Sequence, residues 1–242
     1  MKLNKKFAGI TAAAITVSSM LSGLTFLTGD ASAASVMTPD QITQGMGTGM
    51  CIGNTLDSTG ADETSWGNPR ITQELIDTVN DKGFDSVRIP VTWYNHVEES
   101  KDANGEITYT IDGDYLARVK EVIDYAYNDD MYVILNLHHE EWINRPDFPT
   151  AYDEMSNRLT QMWEQIATYF KDYDQHLIFE GMNEPRQTES TIEWTGNEAC
   201  YEVVNKLDQD FVNTVRSVDS EYKDSRLLMI PSYCASAYSS IY

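Results

Sequence analysis

The sequence from Leu177 to Pro185 reads Leu-Ile-Phe-Glu-Gly-Met-Asn-Glu-Pro, and it predicts a short buried strand with a polar tip. Side chains alternate between the two faces of a strand, so Glu180, Met182 and Glu184 are expected on one face. Pro185 has no N–H group to donate to a neighbouring strand. The strand is therefore expected to end there.

Asn183 and Glu184 consequently fall at the carboxyl end of the predicted strand, held by rigid backbone and open to a ligand. A carboxylic acid in that position suits proton transfer to a leaving group. The alternative is a glutamate at the N-terminus of the following helix, where the helix dipole stabilises its charge. The triplet Asn-Glu-Pro does not distinguish these interpretations, and the rest of the chain decides between them.

Strands and helices alternate along the chain with a repeat of roughly 35 to 50 residues, which is typical of a parallel α/β sheet. Strands are predicted at residues 46–56, 84–91, 131–138, 177–185 and 227–232, the first of them ending near Asn54. Helices are predicted at residues 72–82, 112–128, 152–170 and 197–218. The first of these helices has Leu75, Ile76 and Val79 on its predicted apolar face.

Two sheet architectures fit this alternation, the doubly wound open sheet and the (β/α)8 barrel. A doubly wound sheet favours a glycine-rich phosphate-binding loop after its first strand, and the sequence has none there. Polar residues also lie on the strand face opposite the aliphatic residues that pack against helices, namely Asn54, Arg88, Asn136, His138, Glu180 and Glu184. In a barrel that face is the interior, and the carboxyl ends of the strands form the active site. We therefore predict an α/β fold, a (β/α)8 TIM barrel with about the first five βα units present.

The charge of the chain restricts its partners. Its 242 residues include 38 acidic and 17 basic side chains, which give a formal net charge of -21. Such a surface repels phosphate groups, anionic lipids and acidic polysaccharides. Nucleic acid and membrane surfaces are therefore not expected as partners, and a neutral substrate is favoured.

The cysteine pattern does not indicate a disulfide framework. Cys51, Cys200 and Cys234 are odd in number and widely spaced, which fits neither a set of disulfides nor a zinc signature. Packing thiols are predicted, and a single disulfide is left open.

Residues 1–33 have the organisation of a secretory signal peptide. A positively charged start is followed by an apolar run over residues 7–27 and by the small-residue cleavage site Ala31-Ser32-Ala33. The alternative is a membrane anchor, since the run is long for a signal. Its many Ser, Thr, Ala and Gly residues favour cleavage and secretion. Residues 34–45 are then predicted to be a linker or a poorly ordered N-terminal segment, and residues 46–242 a partial barrel domain.

Five motifs occur in order along the chain. They are Ile52-Gly53-Asn54-Thr55-Leu56-Asp57, Ser65-Trp66-Gly67-Asn68-Pro69, Val87-Arg88-Ile89-Pro90-Val91-Thr92-Trp93, Leu137-His138-His139-Glu140 and Asn183-Glu184-Pro185. Together they resemble glycoside hydrolase family 5, and most of all its subfamily 4 of endo-β-1,4-glucanases and xyloglucan-cleaving enzymes. The resemblance extends over residues 46–242 and implies the (β/α)8 barrel, a retaining mechanism without cofactor, and a neutral β-glucan polysaccharide as partner.

The resemblance also implies roles for individual residues. Glu184 would be the catalytic acid/base, and Asn183 would bind the sugar 2-hydroxyl, an interaction that strengthens in an oxocarbenium-like transition state. Arg88 would keep the nucleophilic carboxylate ionised. His138 would donate a hydrogen bond to the substrate or the nucleophile. The remaining residues implied to line the sugar subsites are His139, His96 and Asn54.

Other interpretations of these side chains stay open. Arg88 is alternatively a buried ion-pair partner for Glu180, which we interpret as a structural carboxylate deeper in the barrel than Glu184. A metal site formed by His138 and His139 is not expected, because adjacent residues of a strand point to opposite faces.

The tryptophans divide into two groups. Trp66, Trp142 and Trp194 fall in predicted strand-to-helix loops, where each is either packed in the loop or a platform for a sugar ring. Trp163 lies on the apolar stripe of a predicted helix and is expected in the core.

The resemblance is incomplete in one respect. Retention needs a second carboxylate about 5 Å from the acid, and in family 5 it is a Glu after strand seven, whereas only five strands are predicted here. We therefore expect a part of a longer enzyme, with three further units of on the order of 130 residues. The predicted function is a secreted endo-β-1,4-glucanase, and the chain alone is expected to be inactive. The alternatives are a xyloglucanase or β-mannanase of the same family, or a non-catalytic glycan-binding protein.

Overall fold

The computed structural model describes residues 36–238. The description concerns the compact unit that begins at Val36. The predicted signal peptide, residues 1–33, lies outside the described residues, so its cleavage stays a prediction.

A five-stranded parallel sheet forms the centre of the described unit. In chain order the elements are α1 (Pro39–Gly45), β1 (Gly49–Cys51), α2 (Gln73–Asp81), β2 (Ser86–Ile89), β3 (Val97–Lys101), β4 (Ile107–Ile111), α3 (Gly113–Tyr127), β5 (Tyr132–Asn136), α4 (Tyr152–Tyr169), β6 (Leu177–Glu180), α5 (Glu198–Ser217) and β7 (Leu228–Met229). The sheet has the order β1-β2-β5-β6-β7, with every neighbouring pair parallel. Strand order follows chain order without the reversal that marks a doubly wound sheet. This is the arrangement of a partial (β/α) barrel, as predicted.

The helices begin at the capping residues that the sequence offers. Side chains of Thr72, Asp112 and Asn197 accept hydrogen bonds from N–H groups in the first turns of α2, α3 and α5. These bonds satisfy donors that have no partner within the helix. One detail of the prediction is wrong, because Leu75 is 40% exposed, whereas Ile76 of the same helix is fully buried. The short α2 helix buries only a narrow stripe.

The main core lies between the sheet and its helices. Val87 and Ile89 of β2 and Val133 and Leu135 of β5 have no exposed surface. Trp163 of α4 is also fully buried, which confirms its predicted place in the core. Alternate residues of these strands face the helices, so the polar residues between them are left for the opposite face.

Part of the predicted linker or N-terminal segment folds as a helix. Residues Pro39–Gly45 form helix α1, with a reciprocal capping box between Thr38 and Gln41. Ile42 of this helix is fully buried against Ile134 and Ile178, which belong to strands β5 and β6. Burial of an apolar side chain stabilises this contact by roughly 1.5 to 3 kcal/mol, which is why a polar segment folds here.

A β-hairpin that the sequence analysis missed follows strand β2. Its strands, β3 and β4, are antiparallel, and Gly105 in the connecting turn has a φ of 91°, which favours glycine. The hairpin is attached to helix α4, because N–H groups of Tyr109 and Ile111 donate to side chains of Gln161 and Gln165, each at 3.0 Å. The path from β2 to α3 is therefore ordered rather than an open loop.

The three cysteines are free thiols. Cys51 is exposed on β1, Cys200 is buried in α5 and Cys234 is half-buried near the end of the described residues. The single disulfide that the sequence left open is therefore not formed, and the packing interpretation holds for Cys200.

Candidate active site

A half-buried ion pair lies across the carboxyl half of the sheet. Arg88 of β2 binds Glu180 of β6 with two hydrogen bonds, Nε to Oε2 at 2.7 Å and Nη2 to Oε1 at 2.6 Å. Burial lowers the pKa of Arg88, but the hydrogen bonds and charge of Glu180 outweigh it and leave that pKa above its ordinary value. The ion-pair interpretation of Arg88 is thus realised in the structure, with the half-buried Glu180 as its partner.

The same guanidinium group also positions Asn183. Nη2 of Arg88 donates to Oδ1 of Asn183 at 2.8 Å. The amide nitrogen of Asn183 is consequently left to donate to a ligand, since the two ends of an amide have opposite hydrogen-bonding character. This orientation suits a side chain that holds a sugar hydroxyl oxygen.

Strand β6 ends earlier than the sequence predicts, and this changes the orientation of the residues after it. Glu180 is its last residue, and Met182 is fully buried instead of sharing a face with Glu180 and Glu184. Gly181 makes the turn possible: a Cβ atom there would lie 2.7 Å from Cδ1 of Phe211. The predicted alternation therefore fails beyond Glu180, although Glu184 still follows the carboxyl end of the strand.

Glu184 lies beside a cation and is accessible. Its side chain is 45% exposed, and Nη1 of Arg186 lies 3.4 Å from its Oε2. Arg186 is held in turn by Glu193, with Nε 3.3 Å from Oε1, and its guanidinium carbon lies 4.9 Å from the ring centroid of Trp194. A carboxyl group that is supported on one side and open on the other can reach the oxygen of a bound ligand.

The two histidines after β5 lie together, contrary to the prediction. The ring centroids of His138 and His139 are 4.4 Å apart, because the strand ends at Asn136 and strand alternation no longer applies. With Asp57 they form a group of three whose potential ligand atoms all lie within 4.8 Å of one another. Nε2 of His138 is 4.0 Å from Oδ2 of Asp57.

A cavity of about 320 Å³ opens next to this group. It is lined by Thr59, Trp66, His139, Glu140, Glu141, Asn144 and Arg186. The Trp66 ring is 43% exposed, with its centroid 5.5 Å from that of His139. An exposed ring at the wall of a cavity is available for stacking, so the structure leaves the sugar-platform interpretation of Trp66 open.

Glu140 is a buried residue in the wall of this cavity. The sequence analysis assigned it no role. Its carboxylate accepts hydrogen bonds from the backbone N–H of Trp93 and from Nε1 of Trp142, each at 2.6 Å. Burial raises the pKa of Glu140 to about 7. Trp142, whose ring also lies under the guanidinium group of Arg158 at 5.2 Å, is therefore packed within the loop and is not an open platform.

Two further predicted residues make their contacts outside this group. Asn54 is exposed after β1, with a φ of 59°, and its backbone oxygen accepts a hydrogen bond from Asn68. His96 stacks on Tyr115 with ring centroids 3.5 Å apart, and it lines a different cavity, of about 170 Å³, together with Arg118. The structure therefore does not bring His96 to the cavity that His139 lines.

Comparison with known proteins defines the class to which this partial barrel belongs. The family model "Cellulase (glycosyl hydrolase family 5)" matches residues 48–240. That match spans most of the chain, and the chain belongs to this family.

Three relatives illustrate how far the similarity reaches. Endoglucanase A of Ruminococcus albus is 45% identical over 201 residues, which are 81% of this chain and 53% of that protein. A GH5-4 broad specificity endoglucanase from Ruminococcus flavefaciens has a TM-score of 0.78 and 54% identity, with 84% of this chain and 58% of that chain covered. A xyloglucan-specific endo-β-1,4-glucanase from a metagenomic library, solved in complex with cellotriose, has a TM-score of 0.74 and 45% identity, with coverages of 80% and 57%. The chain thus spans about half the length of the relatives that it matches.

Replacing Arg88 by Ala is expected to lower the free energy of unfolding by roughly 1 to 3 kcal/mol, because the half-buried carboxylate of Glu180 would lose its charged partner and both hydrogen bonds to it. Urea unfolding measures this loss. The matched control is Arg70→Ala, since that side chain is 63% exposed and its partner Glu63 keeps a second arginine, Arg118. We expect a loss within about 1 kcal/mol for the control. Equal losses for both variants would contradict the structural role given to Arg88.

Proposed function

We propose that this chain provides the acid/base half of the active site of a retaining endo-β-1,4-glucanase. The observation that carries the proposal is the accessible carboxyl group of Glu184 at the carboxyl end of β6, directly after Asn183, whose orientation Arg88 fixes. Membership of family 5 and the endoglucanase names of the relatives support it. The substrate is a neutral β-1,4-glucan, which suits a chain with a formal net charge of -21.

In the proposed reaction Glu184 donates its proton to the glycosidic oxygen while the bond from that oxygen to the anomeric carbon breaks. A carboxylate nucleophile attacks the anomeric carbon from the opposite face and forms a glycosyl-enzyme intermediate. Glu184, now ionised, then removes a proton from the water that hydrolyses this intermediate. Asn183 donates to the sugar 2-hydroxyl, and His138 donates to the substrate beside it. His139 and Asn54 contribute to the sugar subsites, and His96 has the weakest geometric support among them.

The nucleophile is proposed to come from outside the 242 residues. Two carboxylates near Glu184 in the sequence already have partners: Glu180 binds Arg88, and Glu193 binds Arg186 and the N–H of Glu189. The chain covers 53% to 58% of the relatives named above. We therefore propose that the full-length protein extends beyond residue 242 and supplies the second carboxylate about 5 Å from Glu184.

The experiment that tests this function is an assay of the full-length protein on barley β-glucan, carboxymethylcellulose, xyloglucan and β-mannan. We expect cleavage of β-1,4-glucans with the β configuration retained in the first product, which NMR spectroscopy detects before mutarotation. Xyloglucan cleavage is the second candidate, because one relative is a xyloglucan-specific enzyme. Binding to these polysaccharides without turnover would favour a glycan-binding protein instead.

We propose that the protein is secreted. The charged start, apolar run and Ala31-Ser32-Ala33 site predict a mature N-terminus near Ala34. Within residues 36–238 there is no helix with the length and apolar character that crossing a bilayer requires. N-terminal sequencing of protein from the culture medium tests the prediction, and a membrane-bound form that keeps Met1 would contradict it.

A further inference from the structure

Asn136 is completely buried at the end of β5, and its amide group can adopt only one orientation. Oδ1 accepts a hydrogen bond from the backbone N–H of Val91 at 3.2 Å, and Nδ2 donates to Oε1 of Glu180 at 3.2 Å. A backbone N–H group only donates, and a carboxylate paired with Arg88 only accepts. Exchanging the two ends of the amide would therefore set donor against donor and acceptor against acceptor.

The other hydrogen of this amide nitrogen is directed at His138. Nδ2 of Asn136 lies 3.1 Å from Nδ1 of the ring, and an amide nitrogen cannot accept. Nδ1 of His138 must therefore be the acceptor, and a neutral imidazole then carries its proton on Nε2. Burial, together with the charges of His139 and Arg88, lowers the pKa of His138 to about 3, which keeps the ring neutral.

We propose that Asn136 is a positioning residue that fixes His138 as the Nε2–H tautomer, so that this ring donates a hydrogen bond into the cleft and cannot accept one there. The residue acts through His138 and does not itself touch the substrate. This proposal rests on the proposed function for one point only, the identity of the group that receives the hydrogen bond.

That group is a hydroxyl, because His138 and Asp57 offer it a donor and an acceptor side by side. Nε2–H of His138 faces Oδ2 of Asp57 at 4.0 Å. The other carboxylate oxygen of Asp57 already accepts a hydrogen bond from the N–H of Thr55 at 2.8 Å. A hydroxyl oxygen about 2.8 Å from both atoms would accept from the imidazole and donate to the carboxylate. A sugar presents this chemistry, whereas an ammonium group could satisfy only Asp57.

The same tautomer disfavours metal binding by Asp57, His138 and His139, although their potential ligand atoms lie within 4.8 Å of one another. A metal ion needs an unprotonated ring nitrogen. Nε2 of His138, the nitrogen that faces Asp57, carries the proton. The unprotonated Nδ1 is occupied by Asn136.

The test is the 15N NMR spectrum of the full-length protein labelled at histidine, recorded at pH 8 with long-range couplings to the ring protons. His176 is an internal reference, since its Nδ1 lies 3.0 Å from Oδ1 of Asp174 and therefore carries the proton. We expect an unprotonated Nδ1 and a protonated Nε2 for His138, and the reverse for His176. His138→Gln assigns the signals.

Two variants show whether Asn136 is the cause. Asn136→Asp replaces the amide donor by an acceptor of similar size, and we expect the His138 proton to move to Nδ1. Asn136→Ala removes the donor, and both tautomers are expected. Asn144→Ala is the matched control, because Asn144 accepts from the N–H of Arg186 and has no bond to the histidine. It should leave the spectrum of His138 unchanged.

A wild-type His138 with its proton on Nδ1 would overturn the proposal by itself, even if the Asp variant failed to fold. So would an Asn136→Ala spectrum identical to that of the wild type. A full-length protein that has the expected spectrum and no glucanase activity would contradict the proposed function and leave the role of Asn136 standing.

Discussion

Replacing Glu184 by Gln is expected to slow the hydrolysis of β-glucan by about 10²- to 10⁴-fold in the full-length protein, which is the range of general acid catalysis. The leaving group is a sugar alcohol, and it departs only as the glycosidic oxygen receives a proton. Glutamine keeps the shape and the contact with Arg186 but has no acidic proton. Single-turnover kinetics measure the loss in the glycosylation step.

The choice of substrate makes this prediction specific. An aryl glycoside with an acidic phenol as leaving group needs little protonation, so its glycosylation step should suffer much less than that of β-glucan. Glu193→Gln is the matched control, because Glu193 is the second carboxylate on Arg186 and is given no part in proton transfer. Equal losses on both substrates for Glu184→Gln would show that Glu184 is not the acid.

The 242-residue chain by itself is expected to give no turnover of β-glucan above background. An acid without a nucleophile cannot form the glycosyl-enzyme intermediate. The chain is to be expressed beside the full-length protein, and any monomer assayed on barley β-glucan, carboxymethylcellulose and xyloglucan. Turnover by the short monomer would point to Asp57 or Glu140 as an unexpected second carboxylate.

The structure gives a second reason for this expectation. Strands β1 and β7 are the two edges of the described sheet, and unpaired edges promote association with other chains. Met50, Met229 and Ile230 at these edges are 42%, 37% and 57% exposed. Light scattering of the short chain should therefore show aggregation that the full-length protein does not show.

The sheet could be predicted from the sequence because its signal is local. Each buried strand is a short apolar run, as at Val133 and Leu135, and the helices between them have apolar stripes, with side-chain caps at α2, α3 and α5. The prediction failed where strands end. Met182 is buried and His138 lies beside His139 because alternation holds only within a strand.

Two elements were missed although their local signals were present. Thr38, Pro39 and Gln41 form the pattern of a capped helix start. Ile107, Tyr109 and Ile111 alternate as in a strand, after the turn signal of Gly105. Helix α1 has a single buried residue, and much of the hairpin is exposed. Both segments therefore resemble polar linkers in the sequence.

The contacts that support the site could not be predicted, because they join residues that are distant in the chain. Asn136 is paired with Val91 and Glu180, and Glu140 is paired with Trp93. Each pairing depends on the register between neighbouring strands. The motifs predicted which residues form the site, and the fold shows which of them touch.

The central claim, that Glu184 is the acid/base of a retaining enzyme, is tested most directly by the product that Glu184→Ala forms with an activated aryl cellobioside in the presence of azide. This variant should form the glycosyl-enzyme intermediate and fail to hydrolyse it, because the water lacks its base. Azide needs no base, so we expect rescue of turnover and a glycosyl azide of β configuration. A product of α configuration would identify Glu184 as the nucleophile instead, and the absence of any azide product and of rescue would contradict its role as the acid/base.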